Sequence, residues 1–384
     1  MSAGAADDLG LIAAIALGGG LLAIGPFLWV WRRQRGAGPA GRLRAITVLT
    51  LFLTFDLVLF GAFTRLTDSG LGCPDWPGCY GNSSPLGAHA EIAHAQATLP
   101  GGPVTHGKAW VEMTHRYLAT GVGALITALA VMSCVAARRA RLTVSPWWAT
   151  VTLAWVCLQG AFGAFTVTMK LYPAIVTAHL LGGIALLVLL AVQAEAYRPA
   201  PLPLSRGLRM AAAAVALLSV VQIAFGGWVS TNYAVLACRD FPACQGRWWP
   251  EMDFAHGFTL LRGLGVAADG SYLPFAALTA IHYTHRLMAY VVLASLALFA
   301  WRLHATGEAA PKRWALALGA VMLWQLASGV SNVVLGWPLA AAMAHTGGAA
   351  ALATLLAVLI ARASPGSSLA DAAATARRRL RTAP

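Results

Sequence analysis

The chain has 384 residues, 58% of them hydrophobic and 11% charged, with a formal net charge of +13 and a mean hydropathy of +0.67. Soluble domains carry about a quarter of their residues as charges, so this composition excludes an ordinary soluble enzyme and predicts an all-α, polytopic membrane protein. The positive balance does not point to nucleic acid, because 19 of the 27 Lys and Arg fall in alternate connections between apolar runs, where they set orientation rather than form a basic face.

Nine runs long enough to span a bilayer as helices are predicted near residues 10–31, 44–64, 108–137, 146–168, 173–196, 208–230, 274–301, 314–336 and 338–361. The first follows MSAGAADDLG, which lacks basic residues, and precedes WRRQR. It reads as a retained span with its N-terminus outside rather than a signal peptide. The basic stretches 32–44, 138–141, 198–209, 302–313 and 362–381 are then cytoplasmic, as is the C-terminus, and the protein is expected to be multi-pass in a bacterial-type inner membrane. The ARRRLR tail is within reach of anionic lipid. The expected organisation is an extra span and basic loop over 1–43, a four-helix bundle over 44–200, a second over 201–362, and a basic tail over 363–384.

Between the second and third runs lies LGCPDWPGCYG, and LACRDFPACQG repeats its pattern 165 positions later. Outside the cytoplasm thiols oxidise, and six residues of turn-forming sequence let two Cα atoms approach to disulfide distance. The expected bonds are Cys73–Cys79 and Cys238–Cys244, with free thiols or a metal site as the alternatives. Cys134 and Cys157, inside spans, are expected to be small packing residues. The repeat extends further. Thr-His-Arg occurs at 114–116 and 284–286, and Ala-His at 178–179 and 344–345. Each unit has four spans, so the halves are expected to be related by an axis along the membrane normal.

His115, His179, His285 and His345 all fall roughly 10–16 Å into their spans from the outer side at 1.5 Å per residue. Ionisable groups at such depth usually face a bundle interior for a functional reason. Two per bundle, on facing helices, suit axial ligation of a haem iron, and no Met or Cys stands at that depth to complete a copper site. The remaining histidines in loops read as solvated surface. His282 stands three residues before His285, where the first half has Glu112 before His115. That difference implies that the two sites diverge in function. Glu112 has two readings, an acid–base group at the site or a partner of Lys108 or Arg116. Arg116 and Arg286 either hold haem propionates or snorkel outward, and Asp56 is expected to make a structural hydrogen bond.

GAFTRLTDSGLGCPDWPGCYG, EMTHR, TAHLLGG, CRDFPAC, HYTHR and AAMAHTGG, in this order, resemble the haem A synthase family over about residues 44–362. The resemblance implies an eight-helix protein with pseudo-twofold symmetry that oxidises the C8 methyl of haem O to the formyl group of haem A for cytochrome oxidase assembly. It implies that His115 and His179 face the substrate haem O with Glu112 as the essential acid beside it, and that His285 and His345 ligate a resident haem b. The implied partners are haem O, the enzyme that makes it, an electron donor or acceptor, membrane lipid and a further copy of the chain. The N-terminal span departs from the family pattern. The alternative from another class is a di-haem b-type electron carrier, which explains four histidines but not Glu112 set against His282.

Overall fold

Each of the nine apolar runs is a helix in the computed structural model, which describes residues 3–139 and 145–365. The elements are α1 (Ala3–Arg33), α2 (Pro39–Leu66), α3 (His89–Thr98), α4 (His106–Arg138), α5 (Trp147–Thr168), α6 (Pro173–Tyr197), β1 (Leu202–Leu204), α7 (Arg206–Thr231), α8 (Phe254–Gly257), α9 (Phe275–Ala305), α10 (Ala309–Val334), α11 (Leu339–Arg362) and β2 (Ala363–Pro365). Among the described residues nine of these helices are long and apolar enough to cross a membrane, and the protein is an all-α multi-pass membrane protein. Arg141 and the basic tail from residue 366 onward lie outside the described residues.

Packing follows from backbone self-sufficiency, since a helix satisfies its own N–H and C=O groups where water is absent. Polar side chains on buried faces do the same. On α2 the buried hydroxyls of Thr47, Thr50 and Thr54 donate to the carbonyls of Leu43, Ile46 and Thr50 at 2.8, 2.8 and 2.7 Å, so these three threonines need no partner on a neighbouring helix. Helices α2, α4, α5 and α6 pack in a closed ring, with α2 against α4 and α6, and α5 against α4 and α6. Helices α7, α9, α10 and α11 pack in the same pattern. The first ring meets the second through α6 against α7 and α11, and through α2 against α11.

The seam between rings is tied at both ends. At one end Arg65 Nη2 donates to the Ser230 carbonyl and its guanidinium lies 3.9 Å from the centre of the Tyr233 ring, while Tyr233 Oη donates to Asp68 Oδ1 at 2.7 Å. Residues 65 and 230, like 68 and 233, stand 165 apart, so each half is pinned to its own repeat counterpart. At the other end Arg362 donates to both carboxylate oxygens of the largely buried Glu195 at 2.8 Å, and β1 pairs in parallel with β2. Bidentate geometry and burial make this a stronger tie than an exposed ion pair.

Two expectations fail here. Asp56, expected to make a structural hydrogen bond, is exposed on α2 and has no partner among the described residues, because its face of α2 points away from the ring. Cys157, expected to pack, is exposed on α5; the ring is filled from the opposite side of that helix, where Gln159 and Thr152 are buried.

The extra helix α1 packs mainly on α4 through small residues, as helix pairs in lipid commonly do. A β-carbon on Gly19 would lie 2.6 Å from the Tyr117 carbonyl oxygen and 2.8 Å from the Gly121 nitrogen. Because those atoms are backbone, they cannot turn aside. Gly19→Leu should therefore undock α1 at a cost of about 1–3 kcal/mol of overpacking, read as a lower midpoint in denaturant unfolding from detergent and a lost cysteine cross-link between α1 and α4. An unchanged midpoint and cross-link would refute this packing.

Candidate functional site

The four mid-span histidines share one local arrangement. His115 on α4 lies against Gly61 of α2, His179 on α6 against Gly163 of α5, His285 on α9 against Gly226 of α7, and His345 on α11 against Gly329 of α10. A β-carbon at those glycines would stand 3.1, 3.5, 3.0 and 3.1 Å from the nearest imidazole Cε1. At Gly61, Gly226 and Gly329 the missing side chain is what lets the imidazole stand between two helices, while at Gly163 a β-carbon would meet the ring at ordinary contact distance. Nδ1 of His115, His179 and His285 is sealed from solvent without a partner, and Nδ1 of His345 lies 3.0 Å from Ser328 Oγ. At His345 the Ser328 contact leaves Nε2 as the nitrogen free to meet a ligand.

His285 and His345 come together, with ring centres 6.5 Å apart and planes at 89°. Two imidazole nitrogens each about 2 Å from one metal put their ring centres roughly 6 Å apart, so the pair fits axial ligation of a single iron. His115 and His179 occupy the corresponding helices of the first ring, with Phe60 stacked on His115 at 6.2 Å and 6°. Four imidazoles over four glycines, two per ring, form a donor set that fits haem.

One turn before each long-helix histidine the halves differ. Glu112 is buried; its Oε2 accepts from the Cys73 N–H at 2.8 Å and its Oε1 pairs with Arg116. His282 is also buried, with Nδ1 3.0 Å from the Ala234 carbonyl oxygen, and its Nε2 accepts from Arg286 Nε at 3.2 Å. The two arginines do the same job. Arg116 donates to the carbonyls of Asp75, Pro77 and Gly78, and Arg286 donates to those of Cys238, Asp240 and Ala243 at 2.7, 2.8 and 2.9 Å. Each guanidinium is tied into the cysteine loop above its own histidine, rather than directed away from the protein. Lys108 has no hydrogen bond to Glu112, so of the expected partners it is Arg116 that the carboxylate meets.

Both loops are closed by disulfides, Cys73–Cys79 and Cys238–Cys244, with Cα atoms 4.9 and 4.8 Å apart. An aspartate organises each. Asp75 accepts from the N–H groups of Tyr80 and Gly81 at 2.7 and 2.8 Å, and Asp240 from those of Gln245 and Gly246 at 2.7 and 2.8 Å. Gly81 and Gly246 hold φ near +70°, a conformation open to glycine without a β-carbon penalty.

Sequence reasoning missed Gly163 and Gly329. Their signal was present: Gln159 with Gly163, and Gln325 with Gly329, repeat one four-residue spacing in both halves. It also passed over Arg262, which is 3% exposed.

The loop carboxylates yield a pH prediction. Partial burial raises the Asp240 pKa, but the N–H groups of Gly246 and Gln245 outweigh it and leave it below the ordinary carboxylate value. A depressed folded pKa contributes stability that is complete above the unfolded value and is lost as pH falls through the folded one. Hydrogen exchange of the Gln245 and Gly246 amides should therefore stay slow at neutral pH and accelerate, relative to intrinsic rates, only below about pH 4. In Asp240→Asn the protection should be reduced and pH-independent. Equal protection in the variant would remove Asp240 as the organiser.

The geometry can be set beside known proteins. A profile of the family described as cytochrome oxidase assembly protein matches residues 44–357, a span that includes the four histidines, their four glycines and both disulfide loops. A haem A synthase of Shewanella oneidensis is 39% identical over 311 residues, covering 79% of this chain and 91% of that protein. A haem A synthase of Methylobacterium nodulans is 32% identical, covering 76% and 84%, and one of Sinorhizobium medicae is 28% identical, covering 80% and 86%. With four glycine-backed histidines, two clasped loops and these relatives, the chain belongs to the cytochrome oxidase assembly protein family.

Proposed function

We propose that this protein is a haem A synthase that oxidises the C8 methyl of haem O to the formyl group of haem A, with haem O bound in the ring of α2, α4, α5 and α6 and a haem b resident in the ring of α7, α9, α10 and α11. The observation that carries the reading is the duplicated set of glycine-backed imidazoles with one difference between the copies: a carboxylate beside His115 and an imidazole beside His285. A carrier that only passed electrons between two like haems would have no use for that difference. The names of the relatives support the same reading.

Conversion of a methyl to an aldehyde adds one oxygen atom, from water or dioxygen, and removes four electrons that pass to an external acceptor; a haem b beside the substrate would supply one-electron redox chemistry. His285 and His345 would hold its iron, and their ring separation of 6.5 Å fits that role. His115 and His179 orient the substrate porphyrin, and their glycine partners fix how far each ring reaches between the helices. Glu112 is placed to take a proton released as the methyl carbon is oxidised. Arg116 and the Cys73–Cys79 loop cover this position and keep water from it. The basic connections support an orientation with the disulfide loops outside and the C-terminus in the cytoplasm of a bacterial inner membrane. An axis along the membrane normal relates the two rings, in keeping with their shared contact pattern. The enzyme that supplies haem O, an electron acceptor and a second copy of the chain are the candidate partners.

Extraction of the pigments from purified protein tests the reading. Haem b together with haem O or haem A is expected; haem b alone in two equivalents would favour the electron carrier, and no haem would dismiss both. His285→Ala or His345→Ala should remove the low-spin haem b spectrum while the protein still inserts, because one axial ligand then lacks its partner. An intact spectrum in both variants would overturn the assignment of rings.

Glu112→Gln keeps a carbonyl oxygen for the Cys73 N–H but cannot ionise. Haem content should persist while haem A formation falls by about 10²–10⁴ and haem O or its half-oxidised alcohol accumulates. Thiol alkylation after mild reduction reports separately on the loop. If alkylation accelerates in step with the loss of product, Glu112 acts only by holding Arg116 and Cys73.

A further inference from the structure

Arg262 lies in the segment between α8 and α9, distant in sequence from every histidine of the site, yet it is 3% exposed. Its Nη2 donates to Asn232 Oδ1 at 2.6 Å, and its guanidinium carbon lies 5.6 Å from the centre of the Trp228 ring. Nε and Nη1 are sealed from solvent and have no acceptor. No Asp or Glu among the described residues lies within ion-pair distance of it; the ion pairs among those residues involve Arg65, Arg116, His256 and Arg362. The titratable group acting on it is a phenol, that of Tyr172. A buried cation with two idle donors and no counter-charge is unfavourable by itself. It calls for an anion that the described residues do not supply.

Its position indicates which anion. Trp228 and Asn232 lie on and just beyond the end of α7, the helix whose Gly226 backs His285. At 1.5 Å per residue they stand about 3 and 9 Å farther along that axis than the imidazole. Tyr172 is the residue before α6, the helix that carries His179. Arg262 therefore sits over the ends of helices from both rings, on the side where the loops close the site. The guanidinium fork matches carboxylates in bidentate geometry. The arginines at this end of the long helices already spend donors elsewhere, Arg116 and Arg286 on loop carbonyls and Arg65 on the Ser230 carbonyl and Asp68.

We propose that Arg262 is the anchor for a propionate carboxylate of a bound haem. The proposal rests on the haem reading above and adds a residue to it: the histidines set the iron, and Arg262 sets the rotation of the porphyrin by holding one edge toward the loop side. The carboxylate belongs either to the resident haem b or to the substrate haem O, which carry the same propionates.

The test uses full-length protein in detergent, produced under haem limitation and titrated with iron protoporphyrin IX, with haem O, and with the dimethyl ester of each. Uptake of the free-acid haems checks the underlying reading on its own. If Arg262 binds a propionate, wild type should prefer free acid over ester by about 10- to 100-fold, the range for a charged hydrogen bond, and Arg262→Gln should reduce that preference to near unity. Collapse for iron protoporphyrin IX alone assigns the anchor to the resident haem; collapse for haem O alone assigns it to the substrate. If Arg262→Gln fails to insert, Arg262→Lys keeps the charge and loses the fork, and a preference lowered to an intermediate value supports the anchor. An acid-over-ester preference that is the same in wild type and variant, with haem still bound, overturns the proposal while leaving the haem reading standing.

Discussion

An imidazole can stand between two helices at mid-span only where the helix opposite gives up its side chain. Here that happens at Gly61, Gly226 and Gly329, with Gly163 in the fourth corresponding place. The rest of the site depends on it. With a methyl at Gly61, Gly226 or Gly329 the facing ring would have to move by a few tenths of an ångström in a close-packed interior that transmits such shifts, and the separation of His285 from His345 would change with it. The same constraint explains why the bundles are built from glycine-bearing helices in spite of glycine's entropic cost in a helix interior. Close helix approach in lipid offsets that cost through dispersion.

A second layer is built on the same turn of helix. Arg116 and Arg286 each follow a histidine by one residue, and each reaches into a disulfide loop to gather three carbonyls. Lid and ligand are thereby mechanically joined, since a shift of the loop is felt one residue from the ring. The halves complete the arginine differently. In one, Glu112 forms a buried ion pair, and removal of either partner would strand a charge; in the other, a neutral His282 ring accepts from the guanidinium. The outer closure is the same and the chemistry beneath it is not. The duplicated scaffold thus keeps its architecture and differs in one side chain beside the histidine.

Much of this was legible in the chain. Nine apolar runs imply nine spans, because length and hydropathy are local properties that a bilayer reads directly. The offset of 165 residues exposed the paired loops and the shared histidines, and six-residue cysteine spacing in a turn-forming sequence suffices for disulfide closure. Other features resisted. The glycines opposite His179 and His345 looked like ordinary helical small residues, since nothing in one helix tells which face meets a ring on the next. Asp56 and Cys157 were misjudged for the same reason: exposure on a span depends on which neighbours surround it.

The arginines mark the boundary most clearly. Sequence alone determined that Arg116 and Arg286 accompany the histidines and that Arg262 lies in a connection, because these are matters of order along the chain. Tertiary structure decided that the first two are consumed by loop carbonyls and that the third is buried beside Asn232 with idle donors. A hydrogen bond between segments tens of residues apart is made only when packing brings them within about 3 Å. Hydropathy and spacing specify which helices form and which way they run; the partners of a buried charge are specified only by the distances that packing leaves.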